Sequence, residues 1–196
     1  MALTTIKSTS KVPQAVGWVP LQSTTATTDA TIDIETGIDS TYDVYKIVGT
    51  NIHMSDDGSA IFLRVGHGDP PTYQDGNTYD YAVQQVAIAG SAFENAASST
   101  SATSLNMVGG VGYDTGENAN FTFRFYGAAG TVNFKMFHWM GTSHGTDGVQ
   151  VNWVGHGGFP SVTAITAIRF FAFSGTFETG EFALYGLQKV GYDTAM

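Results

Sequence analysis

Residues 162–187 read VTAITAIRFFAFSGTFETGEFALYGL, and the spacing of their apolar positions decides the fold class. In an extended strand, side chains alternate between two faces with period two. Ile165, Ala167, Arg169, Phe171 and Phe173 therefore share one face, and Thr166, Ile168, Phe170 and Ala172 share the other. Both sets are largely apolar, which predicts a strand covered on both sides except at the rim around Arg169. The segment from Ser174 to Gly180 carries glycines at both Gly175 and Gly180, which tolerate the positive φ of a tight connection. The return through Glu181, Phe182, Ala183, Leu184 and Tyr185 is apolar again. Two apolar strands around a glycine-containing loop predict a hairpin, taken as the central pair of a β-sandwich.

Working outward, the same pattern recurs at short intervals. Ala30–Thr36 alternates Ile32 and Ile34 with Asp33 and Glu35, as a half-exposed strand does. Tyr42–Ile52 opposes Tyr45 and Ile47 to Val44, Lys46 and Val48. Ala60–Val65 points Ile61, Leu63 and Val65 inward, with Phe62 and Arg64 facing out or toward a neighbour. Tyr79–Ala89 and Leu105–Val108 are further strands. Asn120–Tyr126 sets Phe121, Phe123 and Phe125 against Thr122, Arg124 and Tyr126, and Gly127–Gly130 joins it to Thr131–Trp139 in a second hairpin. Ser91–Ser101 reads as a short helix or a loop. Gly109–Gly112 reads as a bent connector, and Gly155–Gly158 as a loop after a strand at Gln150–Val154. The expectation is one all-β domain over residues 29–196, an antiparallel sandwich or jelly roll of about nine or ten strands. Residues 1–28, rich in Thr and Ser, form an N-terminal extended arm whose apolar anchors are Trp18, Val19 and Leu21. Such a segment is either a loose terminus or an arm that docks on a neighbouring subunit.

Composition narrows the function. Of the 196 residues, 42% are hydrophobic and only 13% are charged, against ~25% in an average soluble domain. The surface must therefore be built from neutral polar groups and glycine. The net charge of −9 comes with only eight basic residues, spread singly, which argues against nucleic acid as a partner. There is no cysteine, so thiol chemistry is excluded. No run of the sequence has the length of a membrane span or of a signal-peptide core.

The segment Ile165-x-x-Ile168, the aromatics after it, Ser174-Gly175, Gly180 and Phe182-x-Leu184-Tyr185-Gly186-Leu187 resemble the closing hairpin of a jelly-roll domain. The family is that of concanavalin/LamG-like virion surface proteins of tailed phages: capsid decoration, fibre or tail-associated proteins. Tyr42–Val48, Asp56-Asp57-Gly58, Ala60–Val65, Tyr73-Gln74-Asp75-Gly76 and Tyr79–Ala82 agree with it, so the resemblance spans about residues 30–190. It implies a jelly-roll fold and a structural role in a virion, in contact with copies of itself and other virion proteins. A protein made in the host cytoplasm and released by lysis needs no signal peptide.

No catalytic, metal or cofactor site is expected. His67, His138, His144 and His156 lack zinc-site spacing. His144 and Asp147 share a glycine-rich loop that could bind something. Glu178 and Glu181 have the spacing to face each other across Thr179-Gly180, as a glycosidase pair would, but a turn at an edge leaves both in water. The Asp-Gly turns do not match a calcium loop. The remaining signal is aromatic. Trp139, Trp153 and Phe159, with Trp18, Val19 and Leu21, are the candidate interface or anchoring residues, and Tyr113, Trp139 and Trp153 the candidate glycan contacts.

Three functions compete on this basis. One is a non-enzymatic virion protein that forms a homo-oligomer, a trimer or larger, through neutral aromatic surfaces. Another is a module binding carbohydrate or a host-surface receptor. The third is a polysaccharide-cleaving enzyme using Glu178 and Glu181.

Overall fold

The computed structural model describes residues 17–88, 94–145 and 148–188, and among them it contains thirteen strands and no helix. In chain order the strands are β1 (Trp18–Thr25), β2 (Thr31–Ile34), β3 (Val44–Met54), β4 (Ser59–His67), β5 (Thr72–Tyr73), β6 (Tyr79–Ala87) and β7 (Glu94–Ala102). They continue with β8 (Leu105–Val111), β9 (Ala119–Tyr126), β10 (Lys135–His144), β11 (Gln150–Phe159), β12 (Ala167–Ala172) and β13 (Phe177–Leu187). All pairings are antiparallel. An eight-stranded sheet runs β1-β13-β3-β9-β10-β11-β6-β7, and a five-stranded sheet runs β2-β12-β4-β5, with β8 also on β4. The fold is a β-sandwich. Its core holds Ile32 and Ile34 of β2, Ile61, Leu63 and Val65 of β4, Phe121, Phe123 and Phe125 of β9, and Phe170, Phe177, Phe182 and Leu184 of β12 and β13.

The predicted closing hairpin is not one. β12 lies in the smaller sheet, beside β2 and β4, while β13 lies in the larger, between β1 and β3. The glycine-containing segment carries the chain from one layer to the other, and the two strands face each other across the core, with Phe170 and Phe182 rings 5.3 Å apart. Ser59 Oγ donates to the Ser174 carbonyl at 2.8 Å, and the Thr176 amide donates to Ser55 Oγ at 2.8 Å, so the crossing is tied at both ends. An inter-layer crossing and a hairpin have the same apolar–glycine–apolar text. β12 is also less covered than expected on its outer side: Ile168 and Phe170 are buried against the core, whereas on the other side Ala167 is buried but Arg169 and Phe171 are half-buried and Phe173 is 71% exposed. The hairpin predicted between 120–126 and 131–139 is present as β9 and β10, with Phe125 opposite Phe137.

Three segments read as irregular are strand. Of the segment Ser91–Ser101, residues 91–93 lie outside the described residues and residues 94–101 lie in β7, where pairing with β6 (Val83 opposite Ala97, Tyr81 opposite Ser99) overrides local helix preference. Gly109–Gly112 is mostly within β8, and Gly155–Gly158 lies inside β11. The cause is close packing. An added Cβ on Gly155 would sit 2.1 Å from the Trp139 ring directly opposite it, and one on Gly157 would meet the Asp80 carbonyl at 2.6 Å. Phe121 fills the space over Gly49 in the same way, where a Cβ would lie 2.4 Å from its ring. Glycine inside these strands marks a place where a neighbouring ring or backbone occupies the missing side chain.

The domain also begins earlier than expected. Trp18–Thr25 is β1, paired along β13, so the expected arm of residues 1–28 gives way to sheet at Trp18. Residues 1–16 lie outside the described residues. β1 and β7 border the larger sheet.

Buried tyrosines tie loops to strands. The Tyr79 hydroxyl accepts from the Val65 amide at 2.9 Å and donates to the Gln74 carbonyl at 3.0 Å. Burial pushes its pKa up to about 12.

Gly155→Ala is expected to lower stability in denaturant by roughly 1–3 kcal/mol through overpacking. Gly76→Ala, at a position with room for a methyl, changes it by less than about 0.5 kcal/mol. Because the phenol of Tyr79 ionises less readily folded than unfolded, its contribution is complete below pH 10 and is lost as pH climbs toward about 12. Urea titrations at pH 9, 10.5 and 11.5 should show that fall, and Tyr79→Phe should make it shallower, the remainder coming from Tyr45, Tyr73 and Tyr81, which burial also makes less acidic.

Candidate functional site

Most residues that the sequence nominates as surface aromatics are interior. Trp139 is fully buried, Trp153 is 6% exposed and Phe159 is 4% exposed. Their indoles latch the two layers. Trp139 Nε1 donates to the Met107 carbonyl of β8 at 3.0 Å. Trp153 Nε1 donates to Ser143 Oγ at 2.9 Å, and that hydroxyl donates on to the Gly109 carbonyl at 2.9 Å. With both of these indole N–H groups satisfied inside the sandwich, neither Trp139 nor Trp153 is available as an interface anchor or a sugar platform. Phe159 packs against Tyr79 with ring centroids 5.4 Å apart and is likewise core. Tyr113 remains exposed. Trp18 and Val19 are half-buried on β1, and Leu21 packs against the core.

The titratable candidates separate. Glu178 contacts His53 Nδ1 at 3.1 Å, while Glu181 accepts from Ser23 Oγ at 2.7 Å; both carboxylates are exposed and each has its own partner. Glu117, nearly buried, closes its own turn by accepting from the Asp114 amide at 3.0 Å, and lies 3.7 Å from His144 Nδ1. His67 Nδ1 meets the Ala164 carbonyl at 2.6 Å. Asp147, the suggested companion of His144, lies outside the described residues. Among the described residues no three His, Asp or Glu side chains converge on one point.

What the fold does present is apolar surface in two places. The first is the β9–β10 connection. Lys135, at the start of β10, is 1% exposed, and its ammonium donates to the carbonyls of Gly130 and, at 3.3 Å, Asn133. Burial depresses its basicity. Gly127 N donates to the Asp43 carbonyl at 2.7 Å, and Ile165 N donates to that of Ala128 at 2.9 Å. The loop is thus pinned from beneath and holds Val132 (82% exposed) and Phe134 (60% exposed) outward. Met136 and Tyr126, opposite each other on β10 and β9, extend this surface. A groove of about 430 Å³ lies among Tyr126, Val132, Phe134 and Met136.

The second surface is the outer face of the smaller sheet. Phe62 and Phe171 stack across β4 and β12 at 5.6 Å, and Phe173 lies 5.8 Å from Phe62. The Arg64 guanidinium sits 4.8 Å above Phe171. Beside them Arg169 grips Asp33 in a two-bond fork of 2.7 and 2.6 Å and lies 3.9 Å above the Tyr73 ring, whose hydroxyl donates to Glu35 at 2.9 Å. Asp33 holds the Arg169 guanidinium in its charged form. The ion pair frames the aromatic face on one side.

Sequence reasoning placed Phe62 outward but put Phe171 and Phe173 under cover, and it did not single out Val132 or Phe134. The available signal was their position. Val132 and Phe134 are bulky apolar residues in a glycine-flanked connection, where polar residues are the norm. No family model, curated protein or solved structure matches the chain.

Lys135→Met is expected to free the loop. Hydrogen exchange at residues 130–134 should rise, with global stability falling by about 1 kcal/mol as the two carbonyls lose their donor.

Proposed function

We propose that this chain is a non-enzymatic structural protein of a tailed-phage virion, on the capsid surface or in the tail apparatus. It works by packing against copies of itself and against neighbouring virion proteins. The observation that carries the reading is the pair of apolar surfaces on opposite sides of the sandwich, the pinned loop at Val132 and Phe134 and the ring cluster at Phe62, Phe171 and Phe173. Exposed bulky apolar groups held in a fixed shape are characteristic of protein contact sites. Two different patches on opposite sides suit head-to-tail association, which closes into rings or extends into arrays. The resemblance of residues 30–190 to jelly-roll virion proteins supports the setting. A reading as a glycan module built on Trp139 and Trp153 loses its platform, since both rings are core.

Light scattering of the purified chain at high concentration should reveal a defined oligomer, and mass spectrometry of purified particles should recover the chain. The double variant Val132→Ser, Phe134→Ser and the single variant Phe173→Ser should each weaken self-association roughly tenfold or more while leaving the fold intact. A wild-type chain that stays monomeric and never accompanies particles overturns the proposal.

A further inference from the structure

Strand register brings together charges that are far apart in the sequence. Lys46 of β3 is opposite Arg124 of β9, Arg124 is opposite His138 of β10, and His138 is opposite His156 of β11. Paired residues in adjacent strands share a face, and the neighbours Tyr45, Phe123, Phe125, Phe137, Trp139 and Gly155 point into the core. All four side chains therefore project from the outer face of the larger sheet, Lys46 and His138 half-buried, Arg124 and His156 exposed. Neighbouring strands are about 4.8 Å apart, so the row is about 14 Å long and runs across the strands.

This placement is costly. The sequence has only eight Lys and Arg and a net charge of −9, yet two cations stand directly opposite each other with two imidazoles in line. Like charges across a strand pair destabilise a sheet. Burial, followed by the charge of Arg124, depresses the basicity of Lys46, and its ammonium is held between the rings of Trp18 at 4.4 Å and Tyr185 at 4.8 Å. Neither Lys46 nor Arg124 takes part in an ion pair among the described residues. The other three cations of the described residues are engaged elsewhere: Arg64 over Phe171, Arg169 on Asp33, Lys135 under its loop.

The face beyond the row is neutral, with the apolar side chains of Val48, Met140 and Val154 set among hydrogen-bonding groups. Thr122 of β9 and Gln84 of β6 lie in the next register line, and Asn120, Thr142 and Asn152 in the one after it. Asn120, Thr142 and Asn152 line a shallow groove of about 290 Å³. Among the described residues, acids stand at the margins of this surface: Asp80 on β6 beyond His156, and Glu181 on β13, bonded to Ser23.

We propose that this face binds an anionic polysaccharide, a chain of carboxylated or sulfated sugars lying across β3, β9, β10 and β11. Its acidic groups would meet Lys46, Arg124, His138 and His156, and its hydroxyls would meet the amide and hydroxyl side chains alongside. A spaced-charge sugar polymer fits better than nucleic acid. A single DNA strand carries a phosphate every 3.4 Å and relies on many simultaneous cation contacts, whereas here two permanent cations sit in a strongly acidic protein. The row uses none of Val132, Phe134 or Phe173, the residues varied to test assembly, although Tyr126 and Met136 adjoin it on the same face and His156 borders the pocket that Phe134 and Met136 line.

The test is binding of the full chain to heparin and polygalacturonate oligosaccharides, with dextran and a thymidine oligonucleotide of similar charge as comparators, by calorimetry at low salt. The expected result is binding to one or both acidic glycans and none to dextran. The double variant Lys46→Gln, Arg124→Gln should weaken it at least tenfold, and Arg64→Gln, on the opposite face, should leave it unchanged. An imidazole carries charge only in acid, so affinity should rise from pH 7.5 to 5.5. His138→Asn with His156→Asn should remove that rise. Thermal unfolding confirms that each variant is folded. Absence of glycan binding, equal loss in Arg64→Gln, or tighter binding of the oligonucleotide than of either glycan overturns the proposal.

Discussion

The sandwich depends on large rings seated over glycine. Trp139 lies flat against Gly155 on the next strand, and Phe121 against Gly49, and in each case a methyl group would collide with the ring. Each arrangement places one residue's bulk where a neighbour lacks a side chain, which lets a chain with 24 glycines still pack large rings between the layers. Polar termini of these rings are satisfied across the core: the indoles of Trp139 and Trp153 reach backbone and hydroxyl groups tied to β8. One strand of the smaller sheet is thereby fastened to two of the larger.

This also explains what could be read from the sequence and what could not. Alternation within a strand is a local property, so the inward set of Ile61, Leu63 and Val65, the half-exposed strand that turns Ile32 and Ile34 inward, and the hairpin of β9 and β10 were all legible. Glycine is ambiguous because its meaning depends on what lies opposite. Gly155–Gly158 looks like a loop until Trp139 and the Asp80 carbonyl are placed beside it. Layer membership is nonlocal as well: nothing in residues 173–176 says whether the chain turns back beside β12 or crosses to the other sheet. The tryptophans failed as surface candidates for the same reason: the sequence suggested strand ends for them, whereas both lie inside longer strands and reach groups tied to β8.

The site residues were legible only where chemistry contradicted local context. Val132 and Phe134 stand in a connection that should be polar, and Lys135 beside them is a charge drawn inside to hold that connection in shape. The row of Lys46, Arg124, His138 and His156 could not be seen at all. Its members are separated by 14 residues or more in sequence and meet only through the register of four strands. Counting basic residues along the chain reports their scarcity and misses their concentration.

The borders of the larger sheet carry a consequence for how copies can meet. On one side β1 contains Pro20, which has no amide hydrogen to offer an incoming strand. On the other, β7 presents Ala97, Ser98, Ser99, Thr100 and Ser101, with no bulky apolar group to hold a strand laid beside it. Growth by continuous backbone ladders, the route to fibrils, is thus discouraged at both rims. Association is steered to side-chain surfaces on the flat faces, where geometry limits how many partners fit and an assembly can reach a finite size.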